Sequence, residues 1–213
     1  MTTIGLTGVA RAGKDTFCQL LIEELAKKQL VAKRFALADK LKKDLESFIF
    51  NNYGIDVFYC TPEQKELIRE FLVFHGKMKR ITSQGTYWTG ELKPLIDFSD
   101  IDVAIVTDLR YAIFPKDELN WIKEVMNGTL VHISRFVKKP ICYGDFVAIT
   151  DEEHKQGFIK TYIEPPNKDE RENDPLMKAG ADFLVDWESG DIEQFCRPEV
   201  VKFVQYLEDK KLI

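Results

Sequence analysis

The segment from Gly8 to Thr16 constrains the fold more than any other part of the chain. It reads Gly-Val-Ala-Arg-Ala-Gly-Lys-Asp-Thr and fits the pattern G-x-x-x-x-G-K of phosphate-binding loops. A mostly apolar run over residues 3–7 predicts a strand before it, and apolar residues at helical spacing predict a helix over residues 14–28. In that position the backbone N–H groups of the loop and the positive end of the helix dipole point at one anion. The sequence therefore predicts a phosphate site here, in preference to an ordinary glycine-rich turn.

Each residue type in this loop has a chemical role in such a site. Gly8 and Gly13 let the backbone curl around phosphate oxygens. Lys14 can reach the β- and γ-phosphates of a nucleotide, and the Thr16 hydroxyl can help to place Mg²⁺. Asp15 stands where the strict pattern has Ser or Thr, so its carboxylate is expected to hold a magnesium-bound water or to contact the acceptor. The loop therefore predicts ATP and Mg²⁺ as ligands.

Alternating strand and helix patterns predict one α/β domain of residues 1–213. The spacing of strand, helix and strand favours right-handed crossovers, and hence a doubly wound parallel sheet. Residues 39–95 are expected to form a helical acceptor-binding region, and the polar segment 136–175 is expected to form a long loop or lid. The predicted strands cover residues 3–7, 31–37, 101–106, 129–134 and 182–186. Four predicted helices cover residues 14–28, 83–95, 115–126 and 192–207. Two more helices are predicted to begin at the N-caps Asp39 and Thr61, and the second of these is predicted to end near Gly76.

Composition argues against several classes of function. The net charge of −5 disfavours a duplex-binding module, which normally shows a basic face. Cys18, Cys60, Cys142 and Cys196 lie far apart without zinc-site spacing, so they are expected to be free thiols in a reducing cytosol. The N-terminus lacks signal-peptide character, and no apolar stretch approaches the roughly 20 residues that span a bilayer. We therefore expect a cytoplasmic protein that binds small molecules, with neither nucleic acid nor membrane as a partner.

Three polar residues outside the loop are candidates for the chemistry. Asp108 follows an apolar strand at the edge where open α/β sheets place catalytic groups, so it can orient Mg²⁺ or a substrate hydroxyl; a helix N-cap or turn role is the alternative. Arg110 can neutralise the transferring phosphate or pair with Asp108. Arg69 is a candidate to bind an acceptor phosphate through both guanidinium branches, with a solvated surface arginine as the alternative.

Further polar and aromatic residues are candidates for nucleotide contacts. Arg135 ends a strand, where it can contact phosphate or stack on the donor adenine, and Arg11 either approaches phosphate or points to solvent. Asp39 and Lys43 open the second helix near the expected acceptor site, with a solvated helix face as the alternative for the lysine. Trp88, in an adjacent Tyr-Trp pair, is the candidate for stacking on a base.

Several short segments beyond the loop share the residue pattern of one family. They are Phe35-Ala-Leu-Ala-Asp-Lys-Leu-Lys, Ile68-Arg-Glu-Phe-Leu-Val-Phe-His-Gly, Tyr87-Trp88, Val106-Thr-Asp-Leu-Arg-Tyr with Glu118 downstream, Ser134-Arg135 and the acidic turn from Glu170 to Asp174. Together with G-K-D-T, these segments resemble the deoxynucleoside monophosphate kinases of tailed bacteriophages and related nucleotide kinases. Val73 departs from the pattern, since the family usually has glutamine there.

The resemblance implies a P-loop nucleotide-kinase fold and a reaction. The reaction is transfer of the γ-phosphoryl group of ATP, with Mg²⁺, to a deoxynucleoside monophosphate. The implied catalytic residues are Lys14, Asp15, Arg69, Asp108 and Arg110; ATP binding is assigned to Gly8, Arg11, Gly13, Lys14, Asp15, Thr16 and Arg135; acceptor binding is assigned to Asp39, Lys43, Arg69 and Trp88; magnesium is assigned to Thr16 and Asp108, with water as a bridge where needed.

Two other functions stay open at the level of sequence. One is a P-loop kinase for a different small acceptor, such as a nucleoside or a phosphorylated metabolite. The other is a regulatory protein that binds ATP without transferring phosphate. The arginines beyond the loop favour an enzyme. A homodimer is also compatible with the sequence, and a phage-encoded chain would act in the host cytoplasm.

Overall fold

The computed structural model describes residues 1–141 and 157–213, which form one six-stranded sheet with helices on both faces. The strands are β1 (Thr2–Thr7), β2 (Ala32–Phe35), β3 (Val103–Leu109), β4 (Thr129–Pro140), β5 (Phe158–Tyr162) and β6 (Phe183–Glu188). The helices are α1 (Lys14–Lys27), α2 (Leu37–Tyr53), α3 (Pro62–Thr82), α4 (Thr86–Asp97), α5 (Glu118–Asn120) with a π-helical turn directly after it (Trp121–Val125), α6 (Lys168–Ala179), α7 (Ile192–Phe195) and α8 (Arg197–Asp209).

The strand order places the phosphate loop at the point where ligands bind in such sheets. The parallel strands run in the order β2-β3-β1-β4-β6, and the last part of β4 pairs antiparallel with β5. The chain leaves β1 toward β2 on one side and leaves β4 toward β6 on the other. The crevice at the carboxyl ends of β1 and β4 is therefore a topological switch point, where open α/β sheets bind their ligands. The predicted doubly wound α/β fold is confirmed.

Alternation along the strands explains why both faces of the sheet are covered. Val103 and Ile105 of β3 enter one apolar core with α1 and α8, whereas Ala104 and Val106 enter a second core with α4 and the π-helical turn. Strands buried on both faces carry nearly continuous apolar runs, which is the pattern that made β3 recognisable. The two cores hold the carboxyl ends of the strands, and thus the phosphate loop, in fixed positions.

The helical region between β2 and β3 follows the sequence closely, except at its ends. Thr61 caps α3 as predicted, in a reciprocal capping box with Gln64. The helix then continues to Thr82 instead of ending near Gly76. The physical reason is tertiary: the Gly76 carbonyl oxygen accepts a hydrogen bond from Trp88 Nε1 (3.1 Å), so the glycine is held inside the helix by a neighbouring helix.

The segment 136–175 contains more regular structure than the predicted loop or lid. Residues 136–140 continue β4, residues 158–162 form β5, and α6 begins at the N-cap Asn167, whose side chain accepts from the Glu170 N–H (2.9 Å). The charge run that suggested a loop is the first turn of this helix. The remainder of the predicted lid, including Cys142, lies outside the described residues.

The described residues also bear on the cysteines and on the length of the apolar helices. Cys18, Cys60 and Cys196 are free thiols, in agreement with the sequence. In the described ranges, no helix is both long and apolar enough to cross a bilayer.

Candidate functional site

The phosphate loop is fixed by two glycines that no other residue can replace without strain. Gly8 and Gly13 have φ values of +129° and +95°, in the left-handed region that side chains avoid. A Cβ on Gly8 would overlap the Ile133 carbonyl oxygen of β4, and a Cβ on Gly13 would overlap the Trp187 ring of β6. Trp187 also donates its indole N–H to the Ala12 carbonyl oxygen (2.9 Å). The loop therefore rests directly on two neighbouring strands.

Lys14 lies buried over this loop. Its Nζ donates to the carbonyl oxygens of Gly8 (2.7 Å) and Val9 (2.8 Å). Burial, together with the nearby Arg110 guanidinium, lowers the pKa of Lys14 to about 8, against the opposing charge of Glu170. An ammonium group in these surroundings is poorly solvated, so an anion at the loop would be strongly favoured.

Glu170 already brings an anion to the loop. The Ala10 N–H of the loop donates to Glu170 Oε2 (2.7 Å), and Arg110 Nη1 donates to Glu170 Oε1 (2.5 Å). The side chain is buried although it comes from α6, 160 residues away in sequence. From the sequence, Glu170 was only part of an acidic turn that resembles the phage kinase family, and no role was predicted for it. Because one loop N–H and Arg110 donate hydrogen bonds to a carboxylate here, the same donors fit phosphate oxygens such as those of ATP.

Asp108 serves as the cap of α2. Its Oδ1 accepts from the Leu37 N–H (2.8 Å) and its Oδ2 accepts from the Ala38 N–H (2.8 Å). Burial raises the pKa of Asp108, although both N–H groups oppose that rise. The prediction of Asp39 as the N-cap is therefore wrong: α2 begins at Leu37, and Asp39 lies in its first turn. A carboxylate from the neighbouring strand satisfies the free N–H groups, which no local pattern reveals.

The residues around the loop fit a magnesium ion that arrives with the nucleotide. Asp15, Thr16 and Asp108 all line the cavity beside the loop. Asp15 is exposed and lies 3.6 Å from Arg34 Nε. Among the residues with described positions, no group of three Asp, Glu, His or Cys side chains converges as a metal site. Mg²⁺ commonly takes one or two protein oxygens plus water and substrate phosphates, and this donor set suits that mode.

A cavity of about 740 Å³ extends from the loop to α2, α3 and α4. Its basic lining residues outnumber the acidic ones by nine to three, in a chain whose net charge is −5. Apolar side chains of α2, α3 and α4 line the end far from the loop. The basic residues are Arg11, Lys14, Arg34, Lys42, Lys65, Lys77, Arg80, Arg110 and Arg135; the acidic ones are Asp15, Asp108 and Glu118; the apolar ones include Leu41, Leu72, Val73 and Trp88.

Arg80 is the most firmly held cation at the α3 end of the cavity. Its Nε and Nη2 donate to the two oxygens of Asp117 (3.1 and 2.6 Å), and its guanidinium lies 3.8 Å from the ring centre of Tyr111. Asp117 is buried, so the pair is shielded from water. Sequence reasoning missed Arg80 because the predicted helix ended near Gly76. A longer helix would have placed Arg80 on the same face as Leu72 and Gly76.

Arg69 does not line the cavity, contrary to the prediction that it clamps the acceptor. It is exposed, and its Nε donates to Glu66 Oε2 (2.8 Å) on the same helix. Four and eleven residues later on the same helix, Val73 and Arg80 do line the cavity. Lys43 is likewise exposed, paired with Glu46, and borders a separate small cleft. The helices that carry these two residues, α3 and α2, do border the cavity as predicted. Arg69 and Lys43 themselves do not line it.

The strand-end D-x-R segment is organised by a buried acid. Glu118 Oε2 accepts from the Arg110 N–H (2.5 Å) and the Tyr111 N–H (3.1 Å). Burial raises the pKa of Glu118 to about 8. This acid therefore shapes the turn that aims the Arg110 side chain into the cavity. On the other side of the loop, Arg135 lines the cavity and donates its Nε–H to Ser189 Oγ (2.8 Å).

The strand order, the glycine-fixed loop and the buried lysine together define an α/β P-loop fold. Neither the protein-family models nor the curated proteins contain a match to the chain. Three solved structures that it resembles are shikimate kinases. That of Acinetobacter baumannii, in complex with shikimate, has TM-score 0.43 and 15% identity over 100% of this chain and 96% of that one. Those of Bacteroides thetaiotaomicron (TM-score 0.40, 15%, covering 100% and 99%) and Aquifex aeolicus (TM-score 0.36, 17%, covering 99% and 99%) are similar to a comparable degree. At these scores and identities, the similarity says nothing about the substrate.

Proposed function

We propose that this protein transfers the γ-phosphoryl group of ATP to a nucleoside monophosphate, with a deoxynucleotide as the preferred acceptor. The observation that carries the proposal is that cationic side chains line one cavity at two places. One is the phosphate loop with Lys14, and the other is the fixed Arg80 with the lysines around it. A single cavity with a cationic site at each end suits a reaction between two phosphorylated molecules.

The donor site suits the phosphates of ATP. The loop supplies backbone N–H groups, Lys14 supplies a poorly solvated ammonium group, and Arg110 supplies a guanidinium that already holds a carboxylate. Arg135 borders the same end of the cavity, where it can contact phosphate or the adenine. Mg²⁺, when bound with ATP, would screen the charge of the donor phosphates; Thr16 and Asp108, or Asp15 through water, would hold it.

The acceptor site suits a phosphate joined to a flat, partly apolar group. Arg80 keeps one guanidinium branch, Nη1, outside the Asp117 pair, and Lys77 lies one turn before it. Leu72, Val73 and Trp88 offer the apolar surface on which a base can lie. In this proposal Trp88 keeps its predicted role beside the acceptor, although its side chain is only 7% exposed, and Arg80 replaces Arg69.

The acidic residues of the cavity suit an acceptor that is already ionised. Asp108 and Glu118 are both engaged with backbone N–H groups, so neither is a free base. A phosphate group is already ionised at neutral pH, so no base is needed to remove a proton from it. The transfer then depends on positioning and charge neutralisation. Arg110, between the two anion sites, is the residue to stabilise the transferring group. Asp108 therefore has a positioning role through α2, besides any magnesium-bound water it holds.

A second candidate is a kinase whose acceptor is a hydroxyl group, such as a nucleoside. The observation in its favour is Asp15, an exposed carboxylate at the edge of the cavity that is able to take a proton from a hydroxyl. A regulatory protein that binds ATP without transfer would leave the Arg80 site without a function.

A transfer assay with labelled ATP separates these functions. Purified protein, Mg²⁺ and [γ-³²P]ATP are incubated with the four common deoxynucleoside monophosphates, the ribonucleotides, nucleosides and shikimate, the ligand named for one of the kinases above. We expect label in a nucleoside diphosphate, lost in Lys14→Ala and strongly reduced in Arg80→Met. Transfer to a nucleoside or to shikimate alone would establish the second candidate. ATP binding without transfer to any acceptor would overturn both.

A further inference from the structure

The outer face of α3 carries a row of exposed apolar side chains. Its members are Leu67, Phe71, Phe74, Met78 and Ile81, at successive spacings of four, three, four and three. At 3.6 residues per turn, these five side chains fall within an arc of about 80°. Leu67 is 78% exposed and Phe74 is 62% exposed, although monomeric proteins rarely expose such a contiguous apolar row. We call these five residues the α3 stripe.

The exposed apolar surface extends from the α3 stripe onto α2, and the stripe lies on the side of α3 away from the cavity. Phe48 of α2 stacks on Phe71 with ring centres 5.5 Å apart, and Phe48 is itself about half exposed. Leu72, Gly76 and Arg80, which line the cavity, are centred on the opposite side of α3. A partner that covers the stripe therefore leaves these three residues uncovered, although Lys77, on one flank of the stripe, also lines the cavity.

The spacing and the charges identify the partner. Alternating steps of three and four residues form the seam by which two helices pack through interlocking side chains. Glu70 and Lys77 lie along one flank of the stripe, seven residues apart. Among the residues with described positions, Glu70 has no ion-pair partner within 4.0 Å, and Lys77 has only the partly exposed Asp169 at 3.8 Å. One end of this flank is negative and the other is positive. The flanks of two antiparallel copies of α3 therefore attract each other.

We propose that a second copy of this chain covers the α3 stripe, with the two α3 helices antiparallel about a two-fold axis. In this register Leu67 faces Met78 of the second copy, and Phe71 faces Phe74 of the second copy. Glu70 then lies opposite Lys77 of the second copy, and the two-fold axis generates this ion pair twice. Because Lys77 also lines the cavity, this ion pair lies beside the proposed acceptor site, but the proposal does not depend on which acceptor the cavity binds.

The size of the surface fits a dimer of modest affinity. From Leu67 to Ile81 the stripe is roughly 21 Å long at 1.5 Å per residue. A seam of two heptads alone falls short of the roughly 800 Å² per partner of a standard interface. Phe48 and the exposed Tyr53 of α2, beside the stripe, widen the contact toward that size. We therefore expect dimerisation that depends on concentration.

Sedimentation velocity over a hundredfold range of concentration tests the proposal. The wild-type chain should sediment as a dimer at the upper end, and Phe74→Glu should sediment as a monomer throughout. Phe98→Glu is the matched control, because Phe98 is 91% exposed but lies outside the stripe on the segment after α4, and it should dimerise like the wild type. Circular dichroism and thermal unfolding verify that each variant is folded.

Charge reversal tests the register itself. Glu70→Lys should weaken dimerisation at least tenfold, and combining it with Lys77→Glu should restore the wild-type constant. A monomeric wild-type chain at every concentration would overturn the proposal, as would a dimer that survives Phe74→Glu. A dimer that is lost in Phe74→Glu but not restored by the double reversal would overturn the antiparallel register. Since the readout is mass, failure here is distinguishable from failure to transfer phosphate.

Discussion

Replacing Glu170 by glutamine should make the protein bind ATP more tightly. Glu170 occupies the Ala10 N–H and the Arg110 guanidinium, two donors that the proposed function assigns to the phosphates of ATP. ATP must therefore displace this carboxylate before it can bind in full. Glutamine keeps the shape of the side chain and its capacity to accept a hydrogen bond, but it removes the negative charge.

The size of the effect follows from the two hydrogen bonds. A bond to a charged group contributes about 1.5–3 kcal/mol, and its neutral counterpart contributes roughly half as much. Weakening both bonds by about 1 kcal/mol each lowers the cost of displacing residue 170 by about 2 kcal/mol. Since 1.4 kcal/mol corresponds to a factor of ten, the dissociation constant for ATP should fall about thirtyfold.

Isothermal titration calorimetry with Mg-ATP measures this change directly. Glu172→Gln is the matched control, since Glu172 is on the same helix but is exposed and paired with Lys168 at 3.5 Å. Its affinity should equal that of the wild type. If Glu170→Gln instead binds ATP more weakly while remaining folded, then Glu170 positions Arg110 for the nucleotide and does not compete with it.

Three further perturbations probe the rest of the site. Gly13→Ala forces a Cβ against Trp187 at a φ of +95°, so it should abolish ATP binding in calorimetry and lower the melting temperature. Arg80→Lys should raise the KM for the acceptor at least tenfold with little change for ATP, whereas Arg69→Ala should change either KM less than threefold. Burial lowers the pKa of Lys14 to about 8, so Lys14 loses its proton above that pH. The affinity for ATP should therefore fall about tenfold for each pH unit above 8. A pH series that compares the wild type with Lys14→Met, which lacks this dependence, checks the prediction.

The parts of the fold and site that the sequence predicted are those with local causes. The phosphate loop is specified by glycines and a lysine within nine residues, and its strand and helix are contiguous with it. The start of α3 is specified by Thr61, Pro62 and Gln64, all within one turn. Each of these follows from backbone geometry that a short window determines. Because the loop depends only on residues close to it in sequence, its phosphate-binding role can be predicted from the sequence alone.

The parts that the sequence did not predict depend on distant contacts. Glu170 reaches Ala10 across 160 residues, and Asp108 caps a helix that begins 71 residues before it. Neither pairing leaves a periodic or motif signal in one sequence. Arg80 was missed for a related reason, since Trp88 holds Gly76 within α3 and so extends the helix past the residue that suggested its end.

The distribution of positive charge within the cavity favours a phosphorylated acceptor over a neutral one. Lys42, Lys65 and Lys77 come from α2 and α3, away from the loop and beside Arg80, whose charge is largely balanced by Asp117. A phosphate monoester carries about two negative charges at neutral pH, enough to offset the repulsion among several of these cations. A neutral nucleoside would leave that repulsion in place, with fewer counterions available once the cavity is filled. Acceptor binding should therefore weaken as salt is raised, more steeply in the wild type than in Lys65→Gln. An acceptor affinity that is indifferent to salt would point back to an uncharged acceptor.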